Sequence, residues 1–213
     1  MIKAVALDIG ETLVSDSRFW AGWADWLGVP RHTVSALVGA VVSRGDDNAD
    51  AIRLLRPGLD MEAAYAAREA AGRGEHLDET DLYPDVRPSL AALRQAGVRV
   101  VVAGNQTARA GQLLRDLDLP ADGVATSGEW GVAKPDPAFF VRLLETTRTP
   151  AAETLYVGDH PANDIHPAKE AGLRTAHLRR GPWGHLWADD PRVVAAADFR
   201  VDSLTELAGL LQD

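Results

Sequence analysis

Three apolar runs in this chain end on residues that can do chemistry. Ala4-Val5-Ala6-Leu7 leads into Asp8 and Gly10, Val100 to Ala103 leads into Gly104-Asn105, and Leu155-Tyr156-Val157 leads into Gly158-Asp159. Two of the three ends carry a carboxylate beside glycine. Helical patterns open just after Asn105 and after Asp159, and the first N–H groups of a helix are free to bind an anion. Two carboxylates plus amide donors suit Mg²⁺ and a phosphate group, since a hard cation takes oxygen ligands and is shared with phosphate oxygens. The predicted ligands are therefore Mg²⁺ and a phosphate group.

The elements that must position these residues follow from apolar period and turn chemistry. Ala4 to Ile9 reads as a buried strand stopping at a turn. From Ser17 to Asp81 the pattern is helical and Ala-rich, with Gly and Pro breaks and no convincing strand. Beyond Tyr83-Pro84, strand and helix alternate. The predicted helices run over Val86–Gln95, about Thr107–Leu117, Asp136-Pro137 to Thr146, and Pro161 to Ala171. The predicted strands run over Val98–Ala103, Gly123–Thr126, Thr154–Val157 and Arg174–Leu178. Ser203-Leu204-Thr205-Glu206 reads as a capping box opening the last helix. Short connections between alternating strands and helices require a parallel sheet covered on both faces. The fold class is α/β, a doubly wound parallel sheet of Rossmann-like type. Residues 1–16 and 82–213 form the core, and residues 17–81 form a smaller inserted helical cap. In such sheets ligands bind beyond the carboxyl ends of the strands, where Asp8, Asn105 and Asp159 fall.

Composition narrows the function classes. The chain has 213 residues and a net charge of −9, which argues against nucleic acid and against an anionic membrane surface. It has no cysteine, so disulfides, thiolate nucleophiles and Cys-type zinc sites are excluded. No apolar stretch approaches the ~20 residues of a membrane helix, and the N-terminal run is too short for a signal peptide. A cytoplasmic location is expected; a homodimer stays open. Only Lys3, Lys134 and Lys169 are lysines, which draws the eye to Lys134.

Three motifs carry a family resemblance. Asp8-Ile9-Gly10-Glu11-Thr12-Leu13 resembles the Asp-x-Asp-x-Thr motif of haloacid dehalogenase-like hydrolases. Val132-Ala133-Lys134-Pro135-Asp136-Pro137 resembles their lysine motif, and Val157-Gly158-Asp159-His160-Pro161-Ala162-Asn163-Asp164 their Gly-Asp-x-x-x-x-Asp motif. Order, spacing and strand context agree. The resemblance implies that Asp8 attacks phosphorus and forms an aspartyl-phosphate that water hydrolyses. It implies that Asp8, the Gly10 carbonyl and Asp159 hold Mg²⁺, with Asp164 in or beside the shell. Lys134 bridges Asp8 and the phosphate, Thr12 counts with the catalytic residues, and Gly104 and Asn105 line the phosphate.

Two positions depart from the family pattern. Gly10 stands where the general acid/base Asp is expected, and Gly104 stands where Ser or Thr is expected. Losing a positioned acid/base removes about 10²–10⁴ in rate. Glu11 and His160 are the candidate replacements. The leading expectation is a Mg²⁺-dependent phosphatase acting on a small phosphorylated substrate. The alternatives are a family member that binds without turnover, and a metal-independent dehalogenase, whose leaving halide needs no proton. Dehalogenase chemistry leaves Asp159 without a purpose. A phosphonate-cleaving activity needs a cap lysine, and no lysine lies between Lys3 and Lys134. Trp20, Trp23 and Trp26 read as a helical packing face. Trp183 and Trp187 read as part of a long loop, walling the cleft or packing the core edge. His160 and His166 read as ordinary helix-start residues.

Overall fold

A computed structural model gives the fold and describes residues 1–212. It divides the chain into two compact units, Met1–Ser15 with Leu77–Asp213, and Asp16–His76. In chain order, strand β1 (Ala4–Leu7) is followed by α1 (Ser17–Leu27), α2 (Arg31–Val42), α3 (Asp50–Leu55) and α4 (Met61–Ala70) of the second unit. The first unit then continues with α5 (Val86–Gln95), β2 (Arg99–Gly104), α6 (Ala108–Asp116), β3 (Gly123–Thr126), α7 (Ser127–Trp130) and α8 (Pro137–Thr147). It ends with β4 (Thr154–Gly158), α9 (His166–Glu170), β5 (Arg174–Leu178), α10 (Gly181–Leu186), α11 (Pro191–Ala196), β6 (Phe199–Val201) and α12 (Leu204–Leu210).

All six strands are parallel, in the order β3-β2-β1-β4-β5-β6. Alternate residues of each strand face opposite sides. Val5, Leu7, Val100, Val102, Leu155 and Val157 pack on one side with Leu90 and Leu93 of α5 and Leu204 and Leu207 of α12. Ala6, Val101, Ala103 and Tyr156 pack on the other with Phe139, Phe140 and Leu143 of α8. Burial on both faces explains why these strands read as unbroken apolar runs. The strand order reverses direction around β1, so the ends of β2, β1 and β4 lie side by side.

The second unit is helical throughout, as the sequence suggests. Trp20 and Trp23 are buried while Trp26 is half-buried, which fits the packing-face reading. No helix among the described residues is long and apolar enough to cross a membrane.

Two local readings need correction, and one edge strand is added. The long loop assigned to Trp183 and Trp187 contains the short helices α10 and α11, with Pro182 and Pro191 in their first turns. Pro suits a helix start, but beside Gly181 and Gly184 it reads as loop punctuation. The edge strand β6 spans only three residues, too few to show a period. At α12 only half of the capping box forms. Ser203 Oγ accepts from the Glu206 N–H at 3.1 Å, whereas the Glu206 carboxylate accepts from the Asp202 N–H at 2.8 Å.

Candidate active site

The turn after β1 sets the centre of the site. Asp8 N–H donates to the Val157 carbonyl at 2.9 Å, so the nucleophile candidate leaves the sheet level with the end of β4. Leu13 and Val14 N–H both donate back to the Ile9 carbonyl, and Glu11 N–H donates to the Val14 carbonyl. The left-handed residue of this tight turn is Glu11, at φ 50°.

Lys134 reaches the same point from the loop before α8. Its ammonium donates to Asp8 Oδ1 at 2.6 Å and to Asp164 Oδ1 at 2.5 Å, and its side chain is 2% exposed. It also lies over the Tyr156 and Phe139 rings, 5.3 and 5.8 Å from their centroids. A charge this deep is tolerated only when paired. Burial alone would lower the Lys134 pKa, but Asp164 and Asp8 override it and hold the group well above its ordinary value. Burial and then Asp164 raise Asp8 to about 6, against the pull of Lys134.

Asp164 is positioned by a wide π-helical turn over Pro161–Ile165 rather than by the plain α-helix expected from Pro161. Such turns recur at functional sites. Here the wider turn brings Asp164 Oδ2 back to accept from the His160 main-chain N–H at 2.9 Å. One carboxylate oxygen from each of Asp8, Asp159 and Asp164 lies within 4.8 Å of the others. Three carboxylates facing one ammonium leave an excess of negative charge in a nearly buried site. That charge and the hard oxygen donors fit a divalent cation.

Glycine is a space requirement at two of the strand ends. A Cβ at Gly104 would stand 2.3 Å from Asp8 Oδ1, and one at Gly158 would stand 2.2 Å from Asp164 Oδ2. Gly104 thus gives its room to Asp8, where the family pattern would place a hydroxyl.

Other predicted residues take different places. The Asn105 side chain is spent on Lys134: Nδ2 donates to the Lys134 carbonyl and Oδ1 accepts from the Lys134 N–H, both at 2.8 Å. Thr12 is fully buried, and its hydroxyl has no hydrogen-bond partner among the described residues. Its carbonyl accepts from Arg180 at 2.7 Å, and Arg180 also pairs with Asp85 at 2.7 Å. The Glu11 carboxylate accepts from the Tyr83 hydroxyl. His160 Nδ1 accepts from the Ala162 and Asn163 N–H groups, so in the neutral ring the proton sits on Nε2. That ring stacks on Trp183 with centroids 3.7 Å apart.

The sequence reading missed several supports. Tyr156 reads as core, yet its hydroxyl donates to the Ala103 carbonyl at 2.8 Å and its ring underlies Lys134. His177 reads as an ordinary strand residue, yet its Nε2 lies 3.1 Å from the Asp159 carbonyl. Burial lowers the His177 pKa, so the neutral ring is favoured. A polar residue in an otherwise apolar strand was the available signal for both.

Fold and cluster together define an α/β hydrolase core with a carboxylate–lysine centre able to hold a metal. A family model for haloacid dehalogenase-like hydrolases matches residues 2–172, and the chain belongs to that family. A protein of Methanopyrus kandleri named glyceraldehyde 3-phosphate phosphatase is 31% identical over 237 residues, spanning 100% of this chain and 98% of that one. A phosphoserine phosphatase of Thermus thermophilus is 30% identical over 184 residues, spanning 73% of this chain and 70% of that one. A haloacid dehalogenase-like hydrolase of Bacteroides fragilis has the same fold, with a TM-score of 0.71 at 19% identity over 97% of this chain and 100% of that one.

Proposed function

We propose that this chain is a Mg²⁺-dependent phosphatase of a small phosphorylated metabolite, with Asp8 as the nucleophile. The observation that carries the reading is the shared Lys134 ammonium, 2.6 Å from Asp8 and 2.5 Å from Asp164. The phosphatases similar to this chain, named for glyceraldehyde 3-phosphate and phosphoserine, support a small phosphate ester as substrate.

Asp8, the Gly10 carbonyl and Asp159 would hold Mg²⁺, with Asp164 in or beside its shell. The ion would supply positive charge where an anionic nucleophile meets an anionic phosphate. Lys134 holds Asp8 ionised and aimed, and offers its ammonium to a phosphate oxygen. With the Asn105 side chain engaged, the amides of the Gly104–Asn105 segment are left to hold the phosphate. Asp8 attacks phosphorus and the ester oxygen leaves; water then hydrolyses the aspartyl-phosphate. The helical unit, Asp16–His76, acts as the cap that selects the substrate. A cytoplasmic location goes with this reading.

One observation favours a second reading, a family member that binds phosphate esters without turning them over. Gly10 offers no acid, and the neighbouring Glu11 carboxylate is engaged by Tyr83. A screen of phosphate monoesters with Mg²⁺, run on wild type and Asp159→Ala, separates the two. The phosphatase reading expects release of inorganic phosphate that the variant loses along with its Mg²⁺ affinity. Phosphate-ester binding without release in wild type would support the binding reading.

A further inference from the structure

The turn that follows Asp8 and Gly10 is gripped at three successive residues. Arg180, two residues past β5, spends two corners of its guanidinium on two different segments. Nη1 donates to the Thr12 carbonyl and Nη2 to Asp85 Oδ2, both at 2.7 Å. Asp85 Oδ2 also accepts from the Leu204 N–H at 2.8 Å, at the start of α12. The Arg180 and Asp85 side chains are only 11% and 15% exposed, so solvent does little to loosen the pair. The guanidinium lies over the Tyr83 ring, 4.1 Å from its centroid. The Tyr83 hydroxyl donates to the Glu11 carboxylate, and the Tyr83 N–H donates to the Leu13 carbonyl at 3.0 Å. The turn is thus held at Glu11 by its side chain, and at Thr12 and Leu13 by their carbonyls.

Two backbone features show that this grip sets the shape of the turn. Glu11 has φ 50°, a left-handed conformation that a residue with a Cβ keeps only where its surroundings over-determine it. The surroundings here are Tyr83 and the Arg180–Gly181 segment. Gly181 has φ 63°, and a Cβ there would stand 2.5 Å from the Glu11 Cβ. Glycine therefore lets the arginine segment close directly onto the turn. A tie between β5 and α12 alone would need only the Arg180–Asp85 pair; the corner aimed at Thr12 reaches the turn that carries the Gly10 carbonyl.

We propose that Arg180 is a positioning residue for the metal site. By holding the Glu11–Thr12 backbone it fixes where the Gly10 carbonyl stands relative to Asp8 and Asp159. Groups one step removed from metal ligands orient them, and losing one costs about 10–100-fold in metal affinity. The inference rests on the Mg²⁺ site of the phosphatase reading and not on turnover.

The test is calorimetric titration of the full chain with Mg²⁺, on wild type, Arg180→Met and Thr154→Val, each shown by circular dichroism to be folded at the titration temperature. Thr154→Val controls for lost stability alone. The buried Thr154 hydroxyl donates to the Pro150 carbonyl at 3.0 Å, at the opposite end of β4 from Gly158. Arg180→Met should bind Mg²⁺ about tenfold or more weakly, while Thr154→Val should melt lower than wild type and bind Mg²⁺ as wild type does. Equal affinity in wild type and Arg180→Met would overturn the proposal and leave Arg180 a structural tie. An equal loss in Thr154→Val would overturn it too, by tracing the loss to stability. Should Arg180→Met fail to fold, Arg180→Lys decides. Lysine keeps a charge opposite Asp85 but not the planar fork, so weaker Mg²⁺ binding supports the positioning role and wild-type affinity contradicts it. Phosphate release separates this inference from the phosphatase reading. Weaker Mg²⁺ binding in Arg180→Met, from a wild type that releases no phosphate, would keep the positioning role and reject the phosphatase. Release by wild type with unchanged Mg²⁺ affinity in the variant would do the reverse. A wild type that binds no Mg²⁺ would reject both.

Discussion

On the phosphatase reading, Gly10 leaves the turn after β1 without the side chain that would protonate a leaving alkoxide and activate the attacking water. Gly10→Asp should therefore raise alkyl phosphate turnover by about 10²-fold or more. The left-handed backbone of that turn falls on Glu11, at φ 50°, so an aspartate at position 10 meets no left-handed strain. A folded Gly10→Asp protein with no gain on any alkyl ester, in steady-state assays, would count against hydrolysis through Asp8. Asp8 itself carries a pH signature. Burial and Asp164 raise its pKa to about 6 in the metal-free protein. A raised carboxylate favours the folded state at low pH, and that contribution is lost as pH rises through about 6. Mg²⁺ needs the ionised form, so its affinity should fall about tenfold per pH unit below pH ~6 and level off above it. Calorimetric titrations across that range check the slope; an affinity independent of pH would remove Asp8 from the metal site. At this scale Asp8, Lys134, Asp159 and Asp164 were legible in the sequence, because each is an ionisable residue at a strand end or in a spaced motif. The task of Asn105 was not. Nothing in a turn asparagine tells whether its amide meets a ligand or the main chain 29 residues away.

The supporting elements act through that main-chain contact. Asn105 at the end of β2 clasps the backbone of Lys134 before α8, with two hydrogen bonds of 2.8 Å. Asn105→Ala should free the lysine loop and lower kcat about tenfold, with Asn105→Asp restoring less than wild-type activity because it can accept but not donate. Unchanged kcat in Asn105→Ala would show that Lys134 is held well enough by its carboxylates alone. Tyr156 on β4 reaches across β1 to the Ala103 carbonyl, and Tyr156→Phe should cost about 1–3 kcal/mol in denaturant unfolding. The regular elements were legible because apolar runs buried on both faces and helix caps speak locally. The bounds of α5, β3 and β5 match the sequence reading. Short elements were not: α7, α10, α11 and β6 span three to six residues each, too little chain for a period to emerge. The π-helical turn at Pro161–Ile165 carries Asp164 to Lys134 and follows His160, which stacks on Trp183, and contacts with partners so distant in the chain are not encoded in the local sequence.

For the whole molecule, the parallel sheet brings residues 126 positions apart, Asp8 and Lys134, into contact at its carboxyl edge. The net charge of −9 does not oppose an anionic substrate there if a divalent cation and Lys134 reverse the local sign. The central claim is covalent: Asp8 carries the phosphoryl group between two chemical steps. On that claim Gly10 leaves the attacking water without its base, which would slow the second step, so the phosphorylated enzyme should accumulate. The direct measurement is intact mass of the protein quenched during turnover of an aryl phosphate with Mg²⁺, on wild type and Asp8→Ala. Wild type should gain the mass of one phosphoryl group, mapped to Asp8 by peptide analysis, and Asp8→Ala should show neither adduct nor turnover. Phosphate release that persists in Asp8→Ala would contradict Asp8 as the nucleophile.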